Sequence, residues 1–154
     1  VLYNGPVLRF GTPRCDILVN EQDNMHRIIR KRYHLPQDIN IVMYAPTFRG
    51  GSQGIQRSIA TSGFAPNYDR LLNALEKRFG GKWVIFLRLH PQLTARHIEA
   101  QAENPHIIDV SQADDMYELL AGSDALVTDY SSVSFDTLVT SMPVFLYVED
   151  YYAY

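Results

Sequence analysis

Ala125-Leu126-Val127-Thr128-Asp129-Tyr130-Ser131-Ser132-Val133-Ser134-Phe135-Asp136 is the stretch that decides the fold. An apolar run gives way to polar residues at Asp129, and a helical pattern takes over within a residue or two. The apolar run does not alternate with polar residues, so both faces are expected to be buried, as in a parallel strand covered on each side. Working outward, runs of the same kind recur at Ile41-Val42-Met43-Tyr44, Trp83-Val84-Ile85-Phe86-Leu87, the shorter Ile107-Ile108, and Val144-Phe145-Leu146-Tyr147. Helical patterns fall between them. One spans about Asp23 to Tyr33 and carries Met25, Ile28 and Ile29. Asn67 can cap a second that turns Leu71, Leu72, Leu75 and Phe79 inward and ends at Gly80-Gly81. Ser111 or Asp114 can cap a third, with Met116, Leu119 and Leu120 inward and an end near Gly122. The last starts around Ser131-Ser132, buries Phe135, Leu138 and Val139, and stops before Pro143. Strands alternating with helices predict a doubly wound α/β fold, a mostly parallel sheet of about five strands with helices on both faces.

The chain has 154 residues, about one domain where single cores run to roughly 100–200. Fourteen basic residues against 17 acidic ones give a net charge of −3, which excludes the basic footprint of a nucleic-acid binder. At 46% hydrophobic and 20% charged the composition is globular rather than disordered. The longest apolar runs are about five residues, far short of the roughly 20 a membrane span needs. Cys15 is the single cysteine, so no internal disulfide forms and a Cys-rich zinc site is excluded. No Asn-x-Ser/Thr sequon occurs and no secretory signal opens the chain, which suits a reducing, cytoplasmic setting. The chain begins in mid-pattern at Val1-Leu2-Tyr3 and stops at Tyr151-Tyr152-Ala153-Tyr154, so a piece of something longer is expected. Residues 1–20 read as a leading segment and residues 21–154 as the domain. The stretch from Thr47 to Pro66, rich in Gly, Ser and Gln, is a long loop, and long loops in compact domains are usually functional or mobile.

In an open α/β sheet, ligands bind beyond the carboxyl ends of the strands. That rule selects Ala45-Pro46-Thr47-Phe48-Arg49, Arg88-Leu89-His90-Pro91, Asp109-Val110-Ser111, Asp129-Tyr130-Ser131-Ser132 and Glu149-Asp150. Two arginines, a histidine, hydroxyls and a helix start on one edge favour an anion, most simply a phosphate or diphosphate. At Ser131-Ser132 the free N–H groups and the dipole of a helix would face the crevice and the hydroxyls would add donors; plain N-capping explains the same serines. Arg49 and Arg88 could each clamp a phosphate with paired donors, or serve as structural ion-pair partners. His90 could act as general base or as a cation beside phosphoryl oxygens, or be a hydrogen-bonded structural residue. Asp136, about one turn into the last helix, is explained by the macrodipole alone; a functional Asp136 would orient a donor group or hold a hydroxyl. His26, His34, His97 and His106 show no metal-ligand pattern, and no metal site is expected. The phosphate loop G-x-x-x-x-G-K-[ST] and the dinucleotide fingerprint G-x-G-x-x-G are both absent, which weakens ATPase and dehydrogenase readings.

Taken together, Tyr44-Ala45-Pro46-Thr47-Phe48-Arg49, Arg88-Leu89-His90-Pro91 and Thr128-Asp129-Tyr130-Ser131-Ser132-Val133-Ser134-Phe135-Asp136 resemble the motif series of the CDP-glycerol glycerophosphotransferases, which build the glycerol-phosphate chains of teichoic acids. Gly11-Thr12-Pro13-Arg14-Cys15-Asp16-Ile17-Leu18 is similar to the segment before that family's C-terminal half. The resemblance implies the donor-binding lobe of a two-lobed GT-B transferase, with residues 1–20 as inter-lobe linker or leading segment. It implies that CDP-glycerol, or a related CDP-linked polyol, is the donor substrate and that no cofactor is used. Thr47 and Arg49 would lie by the nucleotide phosphates, Ser131 and Ser132 would cradle the diphosphate, and His90 and Asp136 would be catalytic positions. Arg88 and Asp129 would belong to the same substrate site, and the Asp109 to Ser111 stretch would lie near the base. A lipid-linked or polymeric polyol-phosphate acceptor would be held mainly by the other lobe, in a protein peripheral to the cytoplasmic face of the membrane. Two other readings fit the same edge: a GT-B glycosyltransferase using a UDP- or CMP-sugar, and a non-catalytic nucleotide-binding or interaction module.

Overall fold

In the computed structural model, residues 5–6, 11–47, 66–89 and 104–148 are described. Five strands form one sheet, β1 (Asn40–Tyr44), β2 (Trp83–Leu87), β3 (Ile107–Asp109), β4 (Ala125–Thr128) and β5 (Val144–Leu146). Each lies on a run read as a strand from its unbroken apolar character. Every neighbouring pair is parallel, in the order β3-β2-β1-β4-β5. The chain therefore moves outward from β1 in one direction through β2 and β3, then crosses back to place β4 on the other side. That reversal makes a topological switch point between β1 and β4.

Side-chain alternation divides the core into two layers. Ile41, Met43, Val84, Phe86 and Leu126 face one side together with Leu18, Ile29, Leu119, Leu120 and Val133. Val42, Tyr44, Trp83, Ile85, Leu87, Ala125 and Val127 face the other, against Leu72 and Leu75. The first layer is closed by α1 (Asp16–Asn20), α2 (Gln22–Arg32), α4 (Met116–Ala121) and α5 (Val133–Asp136), and the second by α3 (Tyr68–Phe79). Each fully buried Leu, Ile or Phe stabilises the fold by roughly 1.5–3 kcal/mol, so the sheet's apolar strands supply most of the driving force. Leu18, from the leading segment, is fully buried in the first layer.

Helix ends follow their local chemistry. The Asn67 side chain accepts the Arg70 N–H, as a cap should. At the far end of α3, Gly80 and Gly81 take positive φ values of 78° and 67°, open to glycine without strain. Asp115, rather than Ser111 or Asp114, caps α4 by accepting the Tyr117 N–H. At the end of α4, a Cβ on Gly122 would stand 2.6 Å from Ile29 Cγ1, so the small residue lets α4 approach α2 closely.

The helix after β4 departs from expectation. Phe135 and Leu138 are 72% and 71% exposed, and Val139 is exposed as well, while Val133, Asp136 and Thr137 are buried. The inward face is the i, i+3, i+4 set that starts at Val133, because Val133 is the residue that meets the core next to Leu126. The apolar residues one position along each turn consequently point outward. The helix is also short: α5 has four residues and runs on as a 3-10 turn over Thr137–Val139.

At the amino ends of the strands a buried ion pair fastens α2 to the sheet. Arg30, with 4% of its side chain exposed, contacts Asp124 at 2.7 Å. Its Nε donates to Ile39 O and its Nη1 to His26 O and Gly122 O. Asp124 Oδ2 also accepts the Ile41 N–H at 2.7 Å. Apart from the bond to His26 O, which stays within α2, the bonds run between α2, the turn after α4 and the start of β1, so this cluster holds the frame.

Candidate functional site

The carboxyl ends of β1 and β4 lie side by side and are stitched together beyond the last paired residues. Ala45 N–H donates to Val127 O at 3.0 Å, and Thr128 Oγ1 donates to Ala45 O at 2.6 Å. Thr47 N–H donates to Asp129 Oδ1 at 2.8 Å. Thr47 and Asp129, chosen from sequence as neighbours of a phosphate, are thus in direct contact at the switch point. Asp129 is buried, and one of its oxygens is engaged in holding the loop after β1.

Ser131 and Ser132 follow at once. Ser131 Oγ accepts the Val133 N–H at 3.4 Å, and its carbonyl accepts from Ser134 N–H and Ser134 Oγ. Ser132 is exposed and its side chain makes no capping bond. The chain turns here with N–H groups at its start and a hydroxyl facing solvent, which suits an anion. With only four residues in α5, the macrodipole is small. The attraction must come from local N–H groups and hydroxyls, not from a long helix.

Arg88, Asp109 and Ser111 lie on the same edge, further from β4. Strands are spaced by about 4.8 Å, so the end of β3 stands roughly 14 Å from the end of β4. Arg88 N–H donates to Tyr44 O, and its Nη1 donates to the carbonyls of Val110, Ser111 and Ala113 at 2.8, 2.6 and 2.7 Å. Asp109 Oδ1 accepts the Ser111 N–H, and Ser111 Oγ accepts the Leu89 N–H while donating to Leu87 O at 3.4 Å. These three side chains shape the loop after β3. Arg88 spends one nitrogen on three carbonyls, so any contact with phosphate would fall to its remaining donors. Arg49 and His90, together with Glu149-Asp150 and most of the Thr47 to Pro66 loop, lie outside the described residues.

Asp136 lies in a cluster that sequence reading missed. Its Oδ2 accepts from Tyr117 Oη at 2.6 Å and Arg14 Nε at 3.1 Å, and its Oδ1 from Arg14 Nη2 at 3.2 Å and Cys15 Sγ at 3.6 Å. Burial alone would raise this carboxyl; the bonds from Tyr117, Arg14 and Cys15 outweigh it and hold it below its ordinary value. Burial, with the Asp136 bond and charge behind it, pushes the Tyr117 hydroxyl up to about 12. Burial and then the Asp136 charge raise the Cys15 thiol. Nothing in local spacing links residue 14 to residue 136. The one signal was the presence of Arg14-Cys15 in the leading motif.

Fold and site together define a Rossmann-like parallel α/β domain whose polar edge converges on its switch point. The chain belongs to the CDP-Glycerol:Poly(glycerophosphate) glycerophosphotransferase family, whose profile matches residues 2–154. It is 34% identical over 146 residues to a teichoic acid poly(glycerol phosphate) polymerase of Staphylococcus epidermidis, covering 94% of this chain and 19% of that protein. To a teichoic acid glycerol-phosphate transferase of Staphylococcus aureus it is 36% identical over 146 residues, covering 94% of this chain and 36% of the relative. Among solved structures, a variant of the wall teichoic acid polymerase TagF soaked with CDPG superposes with a TM-score of 0.64 at 35% identity. That match covers 93% of this chain and 32% of the other. The chain thus spans about a third or less of the length of each.

Proposed function

We propose that this chain is the donor-binding lobe of a two-lobed GT-B glycerophosphotransferase, and that it binds the cytidine diphosphate part of CDP-glycerol or a related CDP-linked polyol. The observation that carries the reading is the open turn at Ser131-Ser132, set at the switch point beside the Thr47–Asp129 bond. The diphosphate sits against the N–H groups and hydroxyls of that turn, beside Thr47, and Arg49 is assigned the role of its charge partner. The nucleoside extends along the strand ends toward the Asp109 to Ser111 loop, where backbone groups read the base. Family membership and the CDPG-soaked relative support this choice of donor.

In the proposed reaction an acceptor hydroxyl attacks the phosphorus that bears glycerol, and CMP departs. Charge gathering on the phosphoryl oxygens is met by the turn N–H groups, Arg49 and His90, without a metal held by carboxylates. The acceptor, a polymeric or lipid-linked polyol phosphate, is held by the other lobe at the cytoplasmic face of the membrane. No helix among the described residues is long and apolar enough to cross a membrane.

A nucleotide panel tests the reading. Ligand at 100 times its dissociation constant stabilises the folded state by about 2.7 kcal/mol. CDP is therefore expected to raise the thermal midpoint of the full-length protein more than UDP, GDP or CMP does. Preference for UDP would instead mark a sugar transferase, and no response to any nucleotide a non-catalytic module.

A further inference from the structure

Among the described residues, five large apolar side chains are more than half exposed, and they fall in one region. Phe135, Leu138 and Val139 stand on the helix and 3-10 turn after β4. Val19, 58% exposed, is on α1, which packs against that 3-10 turn. Leu146, 61% exposed, is on β5, two residues from Val144, which meets the first layer of the core. Side chains alternate along a strand, so Leu146 faces that same layer. From Thr137 to Val148 the chain carries no charged residue. Scattered exposed apolar residues are ordinary, but a gathered set without charge marks a surface that something covers.

The topology points to the cover. Connections that run across the sheet toward β5, through α4 and α5, lie on the first layer, whereas α3, on a connection running the other way, lies on the second. That division follows from the right-handedness of parallel crossovers. β5 is the edge strand and pairs with β4 alone among the described residues. A further crossover leaving β5 in the same direction therefore sets its helix on the first layer, over Phe135, Leu138 and Leu146. The relatives are about three or more times as long as this chain, which leaves ample chain for such a unit. We propose that this apolar face is an internal docking surface, covered in the full-length protein by a helix of the chain that follows β5, beyond residue 154. The helix that fits it presents an apolar stripe and turns its charges away. An anionic membrane surface is held by Lys and Arg, which the Thr137 to Val148 stretch lacks. A second copy would compete for the place that the crossover occupies. The proposal does not depend on the donor reading.

A photoreactive benzoylphenylalanine in place of Leu138, and separately in place of Phe135, tests this in the full-length protein. After irradiation, peptide mass spectrometry is expected to find the probe joined to a peptide of the same molecule that lies beyond residue 154. Leu138→Asp gives an independent measure, with Leu138→Ala in its place if that variant does not fold. A covered leucine makes the thermal midpoint fall by about 5 °C or more, against about 2 °C or less for an exposed one. Adducts confined to chain that precedes this domain would overturn the proposal. So would adducts between molecules that grow with protein concentration, which would make the face a contact between copies. Adducts to lipid, formed with phosphatidylglycerol vesicles present, would make it a membrane surface and overturn it as well. No adduct, together with an unchanged midpoint, would leave the face in water and end the idea. None of these outcomes involves nucleotide, so the donor reading stands or falls separately.

Discussion

Two arginine–aspartate clusters stand at opposite edges of the same sheet, and they are built differently. At the amino edge, Arg30 is buried and bonds three backbone carbonyls besides Asp124. At the carboxyl edge, Arg14 is half exposed and its guanidinium donates to both oxygens of Asp136. Buried pairs are costly to desolvate, and breaking one leaves an uncompensated charge. Exposed pairs contribute little to stability. The amino-edge cluster thus belongs to the frame, and the carboxyl-edge cluster lies beside the candidate site. Polar groups satisfied by backbone hold the fold, while those left facing solvent at the switch point remain for a ligand.

The sharpest way to break that contrast is Arg30→Ala. It takes the guanidinium away from Asp124 and three carbonyls, and is expected to lower stability by roughly 3–5 kcal/mol, read by urea unfolding. A loss below about 1 kcal/mol would erase the distinction between the edges. Ser132→Ala should do the reverse. It removes one exposed hydroxyl, so stability stays within about 0.5 kcal/mol. CDP affinity falls by roughly 1.5–3 kcal/mol if that hydroxyl donates to phosphate, about 10- to 150-fold by calorimetry. Arg49→Ala is expected to weaken CDP by a similar factor.

The fold was largely legible from the chain. The five strands were marked by apolar runs without alternation, and burial on both faces accounts for the parallel pairing of the central ones, whereas the edge strand β5 leaves Phe145 and Leu146 exposed. Asn67 and Gly80-Gly81 announced both ends of α3. The helix after β4 was misread because its sequence offers two apolar registers. Phe135, Leu138 and Val139 look like an inward face, yet Val133 is the residue that reaches Leu126, so a carboxylate and a threonine turn inward instead. Sequence placed Thr47, Arg88, Asp109, Ser111, Asp129, Ser131 and Ser132 at or just beyond strand carboxyl ends, where these residues lie, because chain order fixes which loops follow strands. It could not show that Arg88, Asp109 and Ser111 brace one loop, or that Arg14 meets Asp136, since those contacts depend on tertiary packing across 22 and 122 positions.

Two smaller effects sharpen the same contrast. Asn67→Ala deletes a helix cap far from the switch point and should cost about 1 kcal/mol of stability, with nucleotide affinity unchanged; a lost affinity would show α3 to be coupled to the site. The smallest effect is in pH. The Asp136 carboxyl is held low in the fold, so its contribution is present above the unfolded value of about 3.9 and lost as pH falls through the folded value. Tyr117 is raised to about 12, so its contribution is complete below the unfolded value of about 10 and lost as pH rises through 12. Thermal midpoints of the unaltered protein should therefore vary little on account of this cluster between about pH 5 and 9, and Asp136→Asn should flatten the acid side. An acid side unchanged by that substitution would place the acid sensitivity elsewhere.

The central claim is that the carboxyl edge at the β1–β4 switch point receives a nucleoside diphosphate. Its most direct test is a crystal structure of the full-length protein with CDP bound. The expected density has phosphate oxygens within hydrogen-bond distance of the Ser131 to Val133 turn and the cytosine beside the Asp109 to Ser111 loop. A nucleotide lodged at the Arg30–Asp124 end of the strands, or a diphosphate held away from that turn, would contradict it.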